Sequence, residues 1–134
     1  MRIAVISDVH GNSWALKAVL ADLAGRSVDW LVDLGDSVYG PLDPGTTAAM
    51  LLARAVPSVR GNEDRVIVAP PAEHDSPTVL YTRSCLSQSQ MQWLASLPLT
   101  LAPFPGLYCC HGSPDRDDEY LLEHVSPSGV SLKP

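Results

Sequence analysis

The amino-acid sequence predicts an α/β fold in which a parallel sheet is flanked by helices. Three observations carry that reading. Short apolar, β-branched runs at residues 2–7, 28–34 and 56–60 alternate with stretches of helical periodicity at 13–25 and 46–53. Each run stops at a polar cluster: Asp8-Val9-His10-Gly11-Asn12, Gly35-Asp36 and Gly61-Asn62-Glu63-Asp64. A fourth cluster, His111-Gly112-Ser113-Pro114, follows a later run. The chain has 134 residues, 46% of them hydrophobic, which fits one core in a single domain over residues 1–134.

Taken in order, residues 2–7 form a buried first strand, and Ser13 caps a helix to about Gly25 with Leu16, Val19, Leu20 and Leu23 on one face. Residues 28–34 make the second strand, 38–45 a loop rich in Pro and Gly, and Thr46 or Thr47 begins a second helix to Ala53. Residues 56–60 read as a short third strand. Three prolines make 69–77 a surface loop. Ser87 and Gln90 form a capping box for a helix over 87–97, with Met91, Leu94 and Leu97 sharing a face. Residues 99–104 and 107–110 read as paired strands turning at Pro105-Gly106, a short helix is expected around 120–123, and 126–134 reads as a polar tail.

Composition narrows the function. The net charge of −6 and the lack of any Lys/Arg run argue against a nucleic-acid partner. No apolar run approaches the length of a membrane span, and the opening residues are too short an apolar run for a signal peptide. Three cysteines, two of them adjacent, do not make a disulfide framework and point to a reducing, cytoplasmic setting. The missing phosphate-binding Gly-x-x-x-x-Gly-Lys loop weakens a reading as a metal-free nucleotide-binding domain.

The four clusters carry the chemistry. In open α/β sheets ligands bind at the carboxyl ends of strands, so clusters from four strands converge on one edge. Asp8 and His10, two apart at an extended strand end, would point the same way and chelate one cation. Asp36 follows a glycine that lets the chain turn and bring a carboxylate between two ions. Asn62 offers a neutral oxygen and His111 a nitrogen, and mixed N/O ligation favours Mn, Fe or Zn over Ca. Any one cluster alone is ordinary turn chemistry, and His111 alone is as readily a core histidine. Their joint order is what points to a two-metal phosphoesterase site. Asn12, Arg60, Arg65 and Arg83 are candidates to contact phosphate.

The succession Asp-x-His, Gly-Asp, Gly-Asn, His-Gly resembles the calcineurin-like metallophosphoesterases along essentially the whole chain. The stretches Gly35-Asp36-Ser37-Val38-Tyr39-Gly40-Pro41, Tyr81-Thr82-Arg83 and Trp93-Leu94-Ala95-Ser96-Leu97-Pro98 resemble a bacterial branch of predicted phosphoesterases. The resemblance implies a β-sandwich flanked by helices and two divalent ions of the Mn, Fe, Zn or Ni class. It places Asp8 and His10 on one ion, Asp36 between the two, and Asn62 and His111 on the other. The implied reaction is in-line attack of a metal-bound hydroxide on a small phosphate mono- or diester.

Two departures stand out. Glu63 occupies the place where the family usually has the histidine that assists the leaving group. It can act as an acid only if burial or a neighbour raises its pKa, and lower monoesterase activity is expected. Asp64 beside it is a further acid or positioning candidate. The family's closing Gly-His-x-His is absent after His111, so the fold is expected to be incomplete at the C-terminus. One ion in place of two, and a homo-oligomer covering the exposed C-terminal side, are consistent with that. The alternative reading is a catalytically impaired binding module or scaffold on the same fold.

Overall fold

Strands β1 (Ile3–Ile6) and β2 (Trp30–Asp33) form a parallel ladder running from the pair Ile3–Trp30 to Ile6–Asp33 in this computed structural model, which describes residues 1–133. Helix α1 (Ser13–Ala24) connects them. Its cap is Asn12, one residue earlier than expected: the Asn12 Oδ1 accepts from the Ala15 N–H at 3.0 Å. Ser13 is instead the first helical residue, and its hydroxyl donates to Asp43 Oδ2 at 2.8 Å.

The third strand expected at 56–60 shrinks to a single parallel bridge between Asp33 and Ser58. Asp33 N donates to Pro57 O at 2.9 Å and Val59 N to Asp33 O at 3.0 Å. Pro57 has no amide to extend the ladder.

Helix α2 (Pro44–Ala53) starts earlier than Thr46 because Asp43 caps it and Pro44 fits the first turn. Helix α3 (Asn62–Val68) begins on the third cluster itself, and α4 (Pro77–Cys85) is capped by Ser76. Neither of these two helices was anticipated. Helix α5 (Gln88–Ser96) has both halves of the expected capping box, with Gln90 N on Ser87 Oγ at 3.3 Å and Ser87 N on Gln90 Oε1 at 2.9 Å.

Two cores result. One gathers Val38, Ala48, Ile67, Val79, Leu94 and Leu97 from the helices and the loop after β2. The other is a layer contact: strands β3 (Thr100–Phe104) and β4 (Leu107–Cys110), antiparallel and joined as expected at 105–106, lay Leu101, Leu107 and Cys109 against Ile3, Val32, Leu34 and Val59. This sheet-on-sheet packing seats β4, and with it His111, beside the end of β2.

The C-terminal region differs from the expectation of a short helix at 120–123 and a polar tail. It is a hairpin, β5 (Glu123–Ser126) and β6 (Gly129–Leu132). Alternation decides it: the cross-strand pairs Val125–Val130 and Glu123–Leu132 share one face, and Gly129 takes a left-handed turn position at φ +130°. The three cysteines are unbridged, and no helix among the described residues is long and apolar enough to cross a membrane.

Candidate metal centre

Beyond the last rungs of β1 and β2 the two chains stay zipped together. Asp8 N donates to Gly35 O at 2.9 Å, His10 N to Asp36 O at 3.0 Å and Gly11 N to Ser37 O at 2.9 Å. Asp8, His10 and Asp36 all have positive φ, at 55°, 50° and 53°. That conformation costs a non-glycine residue about 1–2 kcal/mol. Asp8 and His10 therefore do not converge through the period-two geometry of an extended strand, as expected; a tight left-handed turn brings them together. Ligand atoms of Asp8, His10 and Asp36 lie within 4.8 Å of one another.

Two poles share Asp36. At the first, His10 Nδ1 faces Tyr39 O at 3.0 Å, and its Nε2 lies 3.7 Å from Asp8 Oδ1. At the second, His111 Nδ1 faces Leu34 O at 2.8 Å, while its Nε2 lies 3.1 Å from Asn62 Oδ1 and 3.5 Å from Asp36 Oδ2. A carbonyl can only accept, so each Nδ1 carries a proton, and the Nε2 of each ring is the nitrogen turned towards the site's oxygens. At the second pole one nitrogen and two oxygens thus converge, a mixed donor set of the kind that holds a divalent cation. The carbonyl partners also fix the tautomers a metal needs. The five residues fit a divalent ion by their donor chemistry.

The scaffold under Asp36 is buried. Asp64, with no exposed surface, accepts from Asp36 N at 2.8 Å, Ser37 N at 3.1 Å and Gly61 N at 3.1 Å. Burial raises its carboxyl above the usual aspartate range, against the pull of those amides. Asp64 thus lies behind the site, and as its oxygens are taken it positions the Asp36 turn rather than facing substrate. Gly61 is required here: a Cβ would collide with Asp36 Oδ1 and the Asp36 amide. Asp36 Oδ1 also accepts from Glu63 N at 2.9 Å.

Asp33, which the sequence reading passed over, is a second buried carboxyl. It accepts from Ser37 Oγ at 2.6 Å and Gly35 N at 3.3 Å. Burial pushes its pKa up to about 6, hydrogen bonds from Ser37 and Gly35 oppose that, and the Asp64 charge adds to it. Its position at the end of an apolar run, two before a glycine turn, was the available signal.

The other candidates divide. Glu63 sits with Oε2 3.1 Å from His10 Nδ1, but that N–H points at Tyr39, and the buried oxygen has no hydrogen bond. Burial chiefly, then the Asp36 charge, raises its pKa, and His10 opposes the rise. The Arg60 Nε is likewise buried without a partner, 4.0 Å from Asp117 Oδ2. Asn12 has spent its oxygen on the α1 cap, which leaves its amide group for substrate. Arg65 is fastened to Asp117 by two hydrogen bonds at 2.8 and 2.9 Å. Arg83 binds the carbonyls of Val66, Ile67 and Ala69 and is not available to a phosphate.

A cleft of about 620 Å³ opens over Asp8, Asn62 and His111. A wider hollow of about 720 Å³ at the β3–β4 turn is lined by residues 102–108 and holds none of these ligands.

A parallel ladder whose loops hold two carboxylates, one imidazole and an amide, with a second sheet supplying the other imidazole, is the ligand arrangement of the metallophosphoesterase fold. The chain belongs to the calcineurin-like phosphoesterase family, whose model matches residues 1–131. It is similar to the structure of a metallophosphoesterase from Sphaerobacter thermophilus, at 36% identity and a TM-score of 0.75 over 92% of this chain and 52% of that one. It shares its fold with a hypothetical protein from Pyrococcus horikoshii, at 22% identity and a TM-score of 0.79 over 94% of this chain and 61% of that one. An uncharacterized protein of Methanocaldococcus jannaschii is 31% identical over 104 residues, 74% of this chain and 43% of the relative. The chain therefore spans about half the length of the relatives it matches.

Proposed function

We propose that this chain carries the metal cradle of a phosphoesterase that hydrolyses a small phosphate mono- or diester. The observation that supports it most directly is the convergence of His111 Nε2, Asn62 Oδ1 and Asp36 Oδ2, with Asp36 shared by the Asp8–His10 pole. Asp8, His10, Asp36, Asn62 and His111 would hold two ions of the Mn, Fe, Zn or Ni class, or a single ion at one pole. Bound there, such ions lower the pKa of water and neutralise charge on a phosphoryl group. The residues of the chain do the rest. Leu34 and Tyr39 carbonyls aim the two imidazoles, Asp64 holds the Asp36 turn, and the Asn12 amide group is left for a phosphate oxygen, whereas Arg60 lies in a separate hollow beside Arg65 and Asp117 and is not brought to this cleft. Glu63, with an unpaired inner oxygen next to His10, is the proton donor to the leaving group in this reading.

Elemental analysis of the purified protein, run beside hydrolysis of para-nitrophenyl phosphate and its bis-ester with added Mn²⁺, tests the proposal. About two ions per chain are expected, with turnover that falls at least about 100-fold in Asp36→Asn. Absence of both metal and turnover would overturn it in favour of a binding module or scaffold, for which Glu63 in the place of the family's usual histidine is the supporting feature.

A further inference from the structure

Two unlike sets of residues line the cleft. One is the ligand set. The other is the segment at 113–122, between β4 and β5, which contributes Tyr120 and Leu121 beside Leu34. That segment is built onto the site. Asp117, 6% exposed, anchors it to α3 through Arg65. Ser113 N donates to Arg116 O at 2.7 Å. Its backbone then folds down on the residue after His111: a Cβ on Gly112 would lie 2.7 Å from Arg116 O and 2.8 Å from Glu119 O. Gly112 therefore allows the segment to ride directly against a metal ligand.

The wall is acidic in sequence but tied off in space. Asp118 is paired with Arg116 at 3.0 Å and Arg65 at 3.6 Å, and Glu119 with Lys133 at 2.8 Å. Of the residues this segment lends to the cleft, Tyr120 and Leu121, 66% and 53% exposed, are the ones with neither charge nor ion pair. A large exposed aromatic in a cleft with a metal-ligating pole is a surface for a flat, apolar group.

We infer that Tyr120 and Leu121 form the leaving-group subsite, and that the esters this site takes carry an aromatic group stacked on Tyr120. The inference rests on the phosphoesterase reading and names its substrate class. In that arrangement phosphate oxygens engage Asp8, Asn62 and His111, and the organic group lies along Tyr120 and Leu121, which line the same cleft.

Equilibrium titration of the whole chain, loaded with Mn²⁺, with phenylphosphonate and methylphosphonate separates the two readings. Phenylphosphonate is expected to bind more tightly. Tyr120→Ala should weaken it about 3- to 10-fold and leave methylphosphonate unchanged, whereas Tyr120→Phe, which keeps the ring, should retain the preference. Equal binding of the two probes in the wild type, or a preference that survives Tyr120→Ala, overturns the subsite while the phosphoesterase reading stands. Failure of both probes to bind overturns the two together.

Discussion

The turn assembly around Asp36 and the β5–β6 hairpin are both made of short segments, yet they are held in opposite ways. At the turn, a carboxylate with no exposed surface gathers three amide hydrogens from three separate residues, and a glycine is in contact with Asp36. In the hairpin, the ladder from Glu123–Leu132 to Ser126–Gly129 is the main fastening, helped by Lys133 N on Leu122 O, and Val130 and Leu132 are 63% and 78% exposed. Regular secondary structure is therefore no guide to local stability in this chain. Buried polar ties are, because an amide left unpaired inside costs about 1–3 kcal/mol, whereas a two-stranded hairpin in water is marginal by itself.

The strongest way to break the contrast is Asp64→Ala. It strands the amides of Asp36, Ser37 and Gly61 in a dry environment, with an expected loss of about 4 kcal/mol or more. The same change lets the Asp36 turn relax, so metal affinity should fall with stability. Asp64→Asn, which keeps one acceptor oxygen, should lie between. Urea unfolding midpoints and Mn²⁺ titration of the three proteins read both effects. An Asp64→Ala protein with wild-type stability would show that the turn does not depend on that carboxylate.

A second test sharpens the contrast through pH. Asp33 is held near a pKa of about 6, against 3.8 for an ordinary aspartate. The folded protein thus binds this proton more tightly than the unfolded chain. Its contribution to stability is complete below about pH 4, is lost as pH rises from about 4 to 6, and is constant above that. The shift corresponds to roughly 3 kcal/mol. Asp33→Asn should remove that slope, so the stability difference between variant and wild type should change by about this amount across the window. Urea unfolding in chelator-containing buffers from pH 4 to 7.5 measures it. Parallel curves for the two proteins would mean that Asp33 does not titrate in the folded state. The hairpin offers no counterpart, since its Glu123 and His124 are exposed.

What the sequence revealed follows the same division. The clusters at Asp8, Asp36, Asn62 and His111 were legible because each closes an apolar run, and the structure brings all four to one edge. Helix α5 was legible because Ser87 and Gln90 are a local code. The left-handed geometry of Asp8 and His10 was not, since it is imposed by the neighbouring chain at Gly35 and Asp36 rather than by local propensity. Asp64 read as an acid candidate because a carboxylate's role depends on what surrounds it, and here three amides do. Helix α4 was signalled by Ser76-Pro77, a cap followed by a first-turn proline, but the neighbouring prolines at 70 and 71 masked it. The hairpin was missed because four-residue strands with one apolar face resemble a polar tail in composition.

The smallest effect on folding is expected at that hairpin. Val130→Asp places a charge where 63% of the residue already meets water. The change in unfolding free energy should stay within about 0.5 kcal/mol, an order below that of Asp64→Ala. The same substitution acts on association. Leu122, Val125, Val130 and Leu132 expose apolar surface close together in sequence, and β1 is an edge strand whose Val5 is 54% exposed. Surfaces of that kind are covered when copies meet, so we propose that the chain self-associates and that Val130→Asp shifts it towards monomer. Sedimentation velocity over a concentration series, with thermal unfolding alongside, reads the two effects separately. A wild type that stays monomeric throughout would remove the association proposal, and a large drop in Tm for Val130→Asp would show that the hairpin is fastened to the domain more firmly than its ladder alone provides.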